Sequence, residues 1–370
     1  MIVNALKLLS EVVSTPGTAA EVSGSGASGS LVGSYLITAG AVVLLVICLS
    51  ANKYVQKRLG SGGEAALAYT FARCFISAAI VFVAACIAEH GLPEIRWFSI
   101  LMASGVALTM ICYTLLGFRI LKYGSLSVFT VFLMLGGMMV PYLFGVFKLG
   151  EHINAPRIIG LVLMTISLFL PLIGTPEKQK DADQKSKKSG RVLIIFAVLC
   201  FAVFMLNGLT SVFSKIHAAN VFDQVLSKPI TFVMLCNLMG GLFSGVALII
   251  MKLVSKKKTA DGLTTLPVGS GEAASEISAE QENRSGSGFA KAFLAVLPAV
   301  AMASLFDSAS YFLQQLGAAA LPASVIYPLL TGGSIVLSAL VGLFFFKEKP
   351  SKLAVIGLVI TFGSTLLFLF

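Results

Sequence analysis

LGGMMVPYLFGVFKLGEHINAPRIIGLVLMTISLFL, residues 135–170, places a glycine pair, Gly136-Gly137, and Pro141 inside an apolar run. The run breaks at Gly150-Glu151, passes through a short polar turn and becomes apolar again from Ile158. Near the end of the chain stands LTGGSIVLSALVGLFFFKEKPSKLAVIGLVITFGSTLLFLF, residues 330–370. It repeats the order: a pair Gly332-Gly333, an apolar half-span, Glu348, and VIGLV (355–359) where the first copy has IIGLV (158–162). Nine residues separate Glu151 from Gly160, and nine separate Glu348 from Gly357. Further upstream, GSLSVFTVF (124–132) resembles LPASVIYPL (321–329). The chain carries an internal duplication.

The size of the duplicated unit follows from the apolar pattern. The 370-residue chain is 57% hydrophobic and 12% charged, about half the charge of an ordinary soluble protein. Apolar runs of about twenty residues recur along its length, which is the signal of membrane-spanning helices. Ten spans are expected, near 34–52, 65–88, 97–117, 124–147, 156–174, 192–214, 225–251, 291–316, 322–346 and 353–370. The fold expected is therefore all-α and integral to the membrane. A charged linker, TPEKQKDADQKSKKSGR (175–191), divides the spans five and five. Five is odd, so two copies of a five-helix repeat must cross the bilayer in opposite senses. Inverted repeats around a central cavity are a device of secondary transporters.

The domain organisation expected is a flexible extension over 1–33, a first repeat over 34–174, the linker, and a second repeat over 192–370. The second repeat contains a polar loop at about 253–290 whose composition reads as disordered. The first residues, MIVNALKLLSEVV, are too short to span and lack the pattern of a signal peptide.

The net charge of +10 does not point to nucleic acid, because the positive residues lie mostly in loops between spans. Loops after odd-numbered spans hold 20 Lys and Arg, whereas the termini and the loops after even-numbered spans hold 6. The positive-inside rule then places the odd loops in the cytoplasm and both termini outside. The six cysteines lie within apolar runs without a CxxC pair, and the three histidines lie far apart. Neither a disulfide framework nor a metal site is expected, and no cofactor.

Ten spans in two halves, the GG…GE phrase closing the fourth span and FFFKEK closing the ninth resemble the drug/metabolite transporter superfamily, in particular its EamA-like family. The resemblance covers about 34–370. It implies a helical bundle with a central cavity that moves small metabolites by alternating access. It also implies cytoplasmic termini, the reverse of the charge count, and both orientations stay open. The resemblance further suggests the inner membrane of a bacterium. The small multidrug pumps of this superfamily carry an acidic residue in the first span; Ser34 to Asn52 contains none.

Ionisable residues deep in a span are costly and are functional candidates. Two stand out: Arg73 in the second span and Asp307 in the eighth. Arg73 suits an anionic substrate group; Asp307 suits a proton, a sodium ion or an amine. A structural pair between them is the competing reading. Asp307, Ser310, Tyr311 and Gln314 follow i, i+3, i+4, i+7 and share a helix face, which makes them a candidate cavity wall. Hydrogen bonding between helices competes here too. Asn52, Asn207, Asn237 and Tyr113 are further candidates for contact with substrate. Gly136, Gly137, Gly332 and Gly333 suit close helix packing, and Pro141 and Pro328 suit kinks; either set also suits hinges. Glu151 and Glu348 read as polar stops that cap the following helix, and Lys53 and Lys215 as snorkelling lysines.

Two other functions remain. A channel shares the fold signal but needs no alternating access. A lipid-modifying membrane enzyme needs a constellation of His, Cys or acidic residues that the sequence does not display. The expected partners are a small-molecule substrate, the lipid bilayer and a coupling proton or sodium ion.

Overall fold

A chain in lipid has no water to satisfy its backbone, so apolar runs close their hydrogen bonds internally as helices. The computed structural model describes residues 27–59, 63–120, 126–173, 190–260, 286–344 and 352–370, and among these it contains ten α-helices and no strand. They are α1 Ala27–Leu59, α2 Gly63–Ala88, α3 Trp97–Ile120, α4 Leu126–Leu149, α5 Ala155–Ile173, α6 Gly190–Ala218, α7 Pro229–Ala260, α8 Gly286–Ala320, α9 Ala323–Phe344 and α10 Lys352–Leu367. Eight are long and apolar enough to cross a membrane; the apolar stretches of α5 and α10, Ala155–Leu170 and Lys352–Leu367, are shorter. At 1.5 Å per residue, sixteen residues rise only about 24 Å. Large apolar side chains such as Leu36, Ile87, Ile194 and Val359 stand exposed on the outside, as expected of surfaces facing lipid. The chain is an integral multi-pass membrane protein.

Several boundaries differ from those expected. α1 starts at Ala27, so residues 27–33 of the expected extension are helical. α7 continues to Ala260 and α8 begins at Gly286, which trims the expected loop from both ends. The helical hydrogen-bond ladder runs past the apolar window because polar residues tolerate a helix outside the lipid. Residues 1–26, most of the linker, the middle of the 253–290 loop and Glu348 lie outside the described residues.

Side-chain links identify which helix ends meet. Ser99 at the start of α3 bonds His217 at the end of α6 at 3.0 Å. Glu151, just after α4, bonds the start of α9. Lys215 of α6 bonds the end of α8. These ends form one face of the bundle, here the termini face. Helix stops there use left-handed residues: His90 (φ 53°) ends α2, Gly150 (φ 67°) ends α4 and Asn220 (φ 46°) ends α6. In α2 and α6 the next residue's N–H reaches back five positions, Gly91 to Cys86 and Val221 to Ile216, the Schellman stop.

The main packed pairs are α1 with α8, α2 with α7, α3 with α6, α3 with α7, α4 with α6, α4 with α9, and α5 with α10. α9 packs additionally on α1 and α10, and α8 on α2. One core joins Phe98, Met102 and Val106 of α3 to Val212 and Ile216 of α6 and Phe232 of α7. A second joins Ala41 and Val42 of α1 to Ala318 of α8 and Ile326 of α9.

The glycine pairs sit at helix crossings. A Cβ on Gly136 would collide with the backbone of Phe204 in α6, and one on Gly137 would meet Asn207 Nδ2 at 2.7 Å. Gly208 returns the approach from α6 towards Val140 and Gly136. Gly333 faces Val42 of α1 at 3.2 Å, and Gly332 faces Thr365 of α10 and Met164 of α5. Pro141 and Pro328 lie within continuous α4 and α9.

Candidate functional site

Arg73 lies ten residues into α2 and Asp307 lies in the middle of the apolar part of α8. Separated by 234 residues in sequence, they form an ion pair through Arg73 Nη1 and Asp307 Oδ2. An isolated charge in a span is costly, and pairing is the usual way it is retained. The pair is not sealed: the side chains keep 14% and 26% of their exposure.

Asp307 is also the end of a chain of polar contacts. Its Oδ1 accepts from Cys48 Sγ at 3.6 Å. Cys48 in turn receives Asn52 Nδ2 at 3.6 Å, and Asn52 Oδ1 accepts from the Tyr69 hydroxyl. Cys48 and Asn52 are four apart on α1, and Tyr69 and Arg73 are four apart on α2, so each pair shares a helix face. The five side chains form a polar cluster across α1, α2 and α8, with Tyr69 within electrostatic reach of Arg73. Ser304 Oγ to the Arg73 carbonyl and Ser77 Oγ to the Ser304 carbonyl, both 3.2 Å, tie α8 to α2 beside it. Tyr113 of α3 lies within electrostatic reach of Arg73 and Asp307, and its ring packs with the cluster around Cys200 and Val203.

The polar face of α8 divides among its neighbours. Ser310 is fully buried and donates to the Ala41 carbonyl of α1 at 2.7 Å; Gln314 donates to Ser310 at 3.0 Å. Tyr311 turns the other way, towards Ser214 of α6 at 3.3 Å and Cys236 of α7 at 3.8 Å. Gln315, adjacent in sequence, donates to Ser214. Tyr327 of α9 donates to the Ser211 carbonyl at 2.7 Å. A polar seam therefore runs between α6 and the α8–α9 hairpin, from Tyr311 one turn beyond Asp307 up to the termini face.

The remaining asparagines bond close to home. Asn207 donates to the Leu133 carbonyl of α4 at 2.7 Å, and Asn237 to the Val233 carbonyl of its own helix at 3.0 Å.

Two roles read from the sequence differ in the structure. Glu151 does not cap the helix that follows it; Asn154 does, accepting the Arg157 N–H at 3.2 Å. Glu151 instead caps α9, with Oε1 and Oε2 on the N–H groups of Ala323 (2.6 Å) and Ser324 (2.8 Å). Lys215 does not snorkel. It is 4% exposed, and its Nζ donates to the carbonyls of Ala318 (2.6 Å) and Leu321 (2.7 Å) at the end of α8. Sequence periodicity carries no sign of either, because both partners come from another part of the fold.

Val32, Leu36, Val42 and Val43 of α1, Leu329 and Gly333 of α9, and Leu369 line an apolar cleft of about 650 Å³. None of the charged or amide candidates borders it. Among the described residues no three of His, Cys, Asp and Glu stand together as metal ligands would.

Residues 36–173, which cover α2 to α5 and most of α1, match the model of the EamA-like transporter family. A solved crystal structure shares the fold, with a TM-score of 0.60 and 17% identity over 90% of this chain and 96% of that one. No curated protein matches the chain.

Proposed function

We propose, from a first half that matches the EamA-like transporter family, that this protein is a secondary transporter of small organic metabolites. It would work by alternating access, with the Arg73–Asp307 pair as the charged centre of its pathway. The observation that carries the proposal is the pair itself. Both residues sit inside apolar spans, on different helices, and remain partly accessible. A purely structural pair gains from being sealed and fully hydrogen-bonded. One left open offers an anion site at Arg73 and a cation or proton site at Asp307.

The proposal of two inverted repeats draws support from packing. Exchanging each helix for the one five places later turns α1–α8 packing into α6–α3, α4–α6 into α9–α1, and α3–α7 into α8–α2, all of which occur. It leaves α2–α7, α4–α9 and α5–α10 unchanged. Two glycine crossings correspond as well: Gly136 meets Phe204 of α6, and Gly333 meets Val42 of α1. The glycines are 197 residues apart, the same offset as between Glu151 and Glu348. Two halves related in this way can exchange conformations around a shared site.

Uptake of a metabolite library into proteoliposomes tests the assignment. Flux of at least one solute that saturates with concentration, and that Asp307→Asn abolishes without loss of fold, is the expected result. Transport by Asp307→Asn with unchanged rate and unchanged pH and sodium dependence would remove Asp307 from the mechanism. A lipid-modifying enzyme would show no solute flux at all.

A further inference from the structure

The geometry points to a latch: Glu151 and Lys215 clamp the α8–α9 turn and thereby close the termini face of the pathway, so that their release opens it. This rests on the alternating-access reading above.

α8 and α9 are joined by only Leu321 and Pro322. A tight turn between two helices brings together unpaired carbonyls from one and unpaired N–H groups from the other. Here each set is met by a full charge of the favourable sign. The Glu151 carboxylate takes the N–H groups at the start of α9, at 2.6 and 2.8 Å. The Lys215 ammonium takes two carbonyls at the end of α8, at 2.6 and 2.7 Å. An anion at a helix N-terminus and a cation at a C-terminus both follow the helix dipole.

The clamp is supplied by other elements. Glu151 follows α4 and Lys215 belongs to α6, and these two helices are locked together at Gly136 and Gly208. The clamped hairpin packs on α1, through Ser310 on the Ala41 carbonyl and the core around Ala41, Val42, Ala318 and Ile326. Its α9 arm also packs on α4, where Leu329 and Ile335 meet Leu135, Met138 and Tyr142. Between α6 and the hairpin lies a seam of polar groups: Ser211, Ser214, Tyr311, Gln315 and Tyr327. Water can replace such bonds when the seam parts. The seam also leads somewhere. Along α8 it runs from Leu321 to Tyr311, a rise of about 15 Å, and ends one turn short of Asp307. Its residues are closed over: Ser214, Lys215 and Gln315 are 6%, 4% and 1% exposed, while the Arg73–Asp307 pair is partly open. The state described is latched at the termini face.

Two native cysteines report on the seam. Cys236 borders it beside Tyr311, and Cys48 borders the ion pair. Single-cysteine forms of the full chain retaining one or the other, in lipid nanodiscs, are reacted with a polar methanethiosulfonate. The latch is weakened in three ways: Glu151→Gln, Lys215→Met, and Gly145→Ala. The last places a Cβ 2.6 Å from Glu151 Oε2 and 2.9 Å from the Ala323 Cβ, so it crowds both the carboxylate and the start of α9 without changing any charge. In variants that remain monodisperse and keep the parent's melting temperature, Cys236 should react about tenfold faster while Cys48 slows, the mark of a population shift. Unchanged Cys236 rates in every folded variant would overturn the latch. An equal rise at both cysteines would overturn it too, since that is general loosening. The readout needs no substrate, so an absence of solute flux in the parent protein would count against the transporter reading alone.

Discussion

Removing either charge of the Arg73–Asp307 pair leaves the other unpartnered among apolar helices. Breaking a buried pair in this way costs about 3–5 kcal/mol, whereas replacing both members with neutral groups is close to neutral. Arg73→Met and Asp307→Asn alone should each lower the melting temperature in nanodiscs, and the double variant should recover most of the loss. If the pair serves transport, the double variant stays inactive despite its recovered stability. Recovery of uptake along with stability would make the pair structural. At this scale the sequence discloses which residues are expensive, since an arginine and an aspartate in apolar spans are visible on inspection. Their contact across 234 positions belongs to the packing of α8 on α2 and leaves no local trace. The stripe of Asp307, Ser310, Tyr311 and Gln314 shows a related limit. Periodicity puts the four on one face, but that face is wide enough to touch α1, α2, α6 and α7, so its residues serve different neighbours.

The ten helices follow the apolar runs closely because each run is long, and lipid leaves the backbone no other local solution. Their ends drift where the residues turn polar, as at Ala27, Ala260 and Gly286. What packs against what is encoded more thinly, in small residues. The pair Gly136-Gly137 was legible as a packing or bending signal, but its target, the backbone at Phe204, was not. Gly136→Ala should force α4 and α6 apart and cost about 1–3 kcal/mol, the usual range for overpacking. Gly363→Ala on α10, where nothing lies within 4 Å of a new Cβ, should be harmless or slightly stabilising. Thermal unfolding of the two variants side by side checks this; equal effects would mean that the α4–α6 crossing yields without cost.

For the whole molecule, the ground for proposing a repeat was legible: the two glycine–glutamate phrases and the five-and-five division of spans. The sidedness of the bundle was not, because loop charge and family resemblance give opposite answers. Counting 20 basic residues against 6, we expect the termini face, with the latch, to lie outside. A reporter fused after Phe370 should therefore be active only outside the cytoplasm; cytoplasmic activity would invert the assignment and place the latch inside. Alternating access itself is tested most directly by counterflow. Proteoliposomes are preloaded with an unlabelled transported solute and then given the labelled form outside. The expected result is saturable uptake that is accelerated by the internal solute and transiently exceeds equilibrium. Flux that rises linearly with concentration and ignores the internal solute would contradict a carrier and describe a pore.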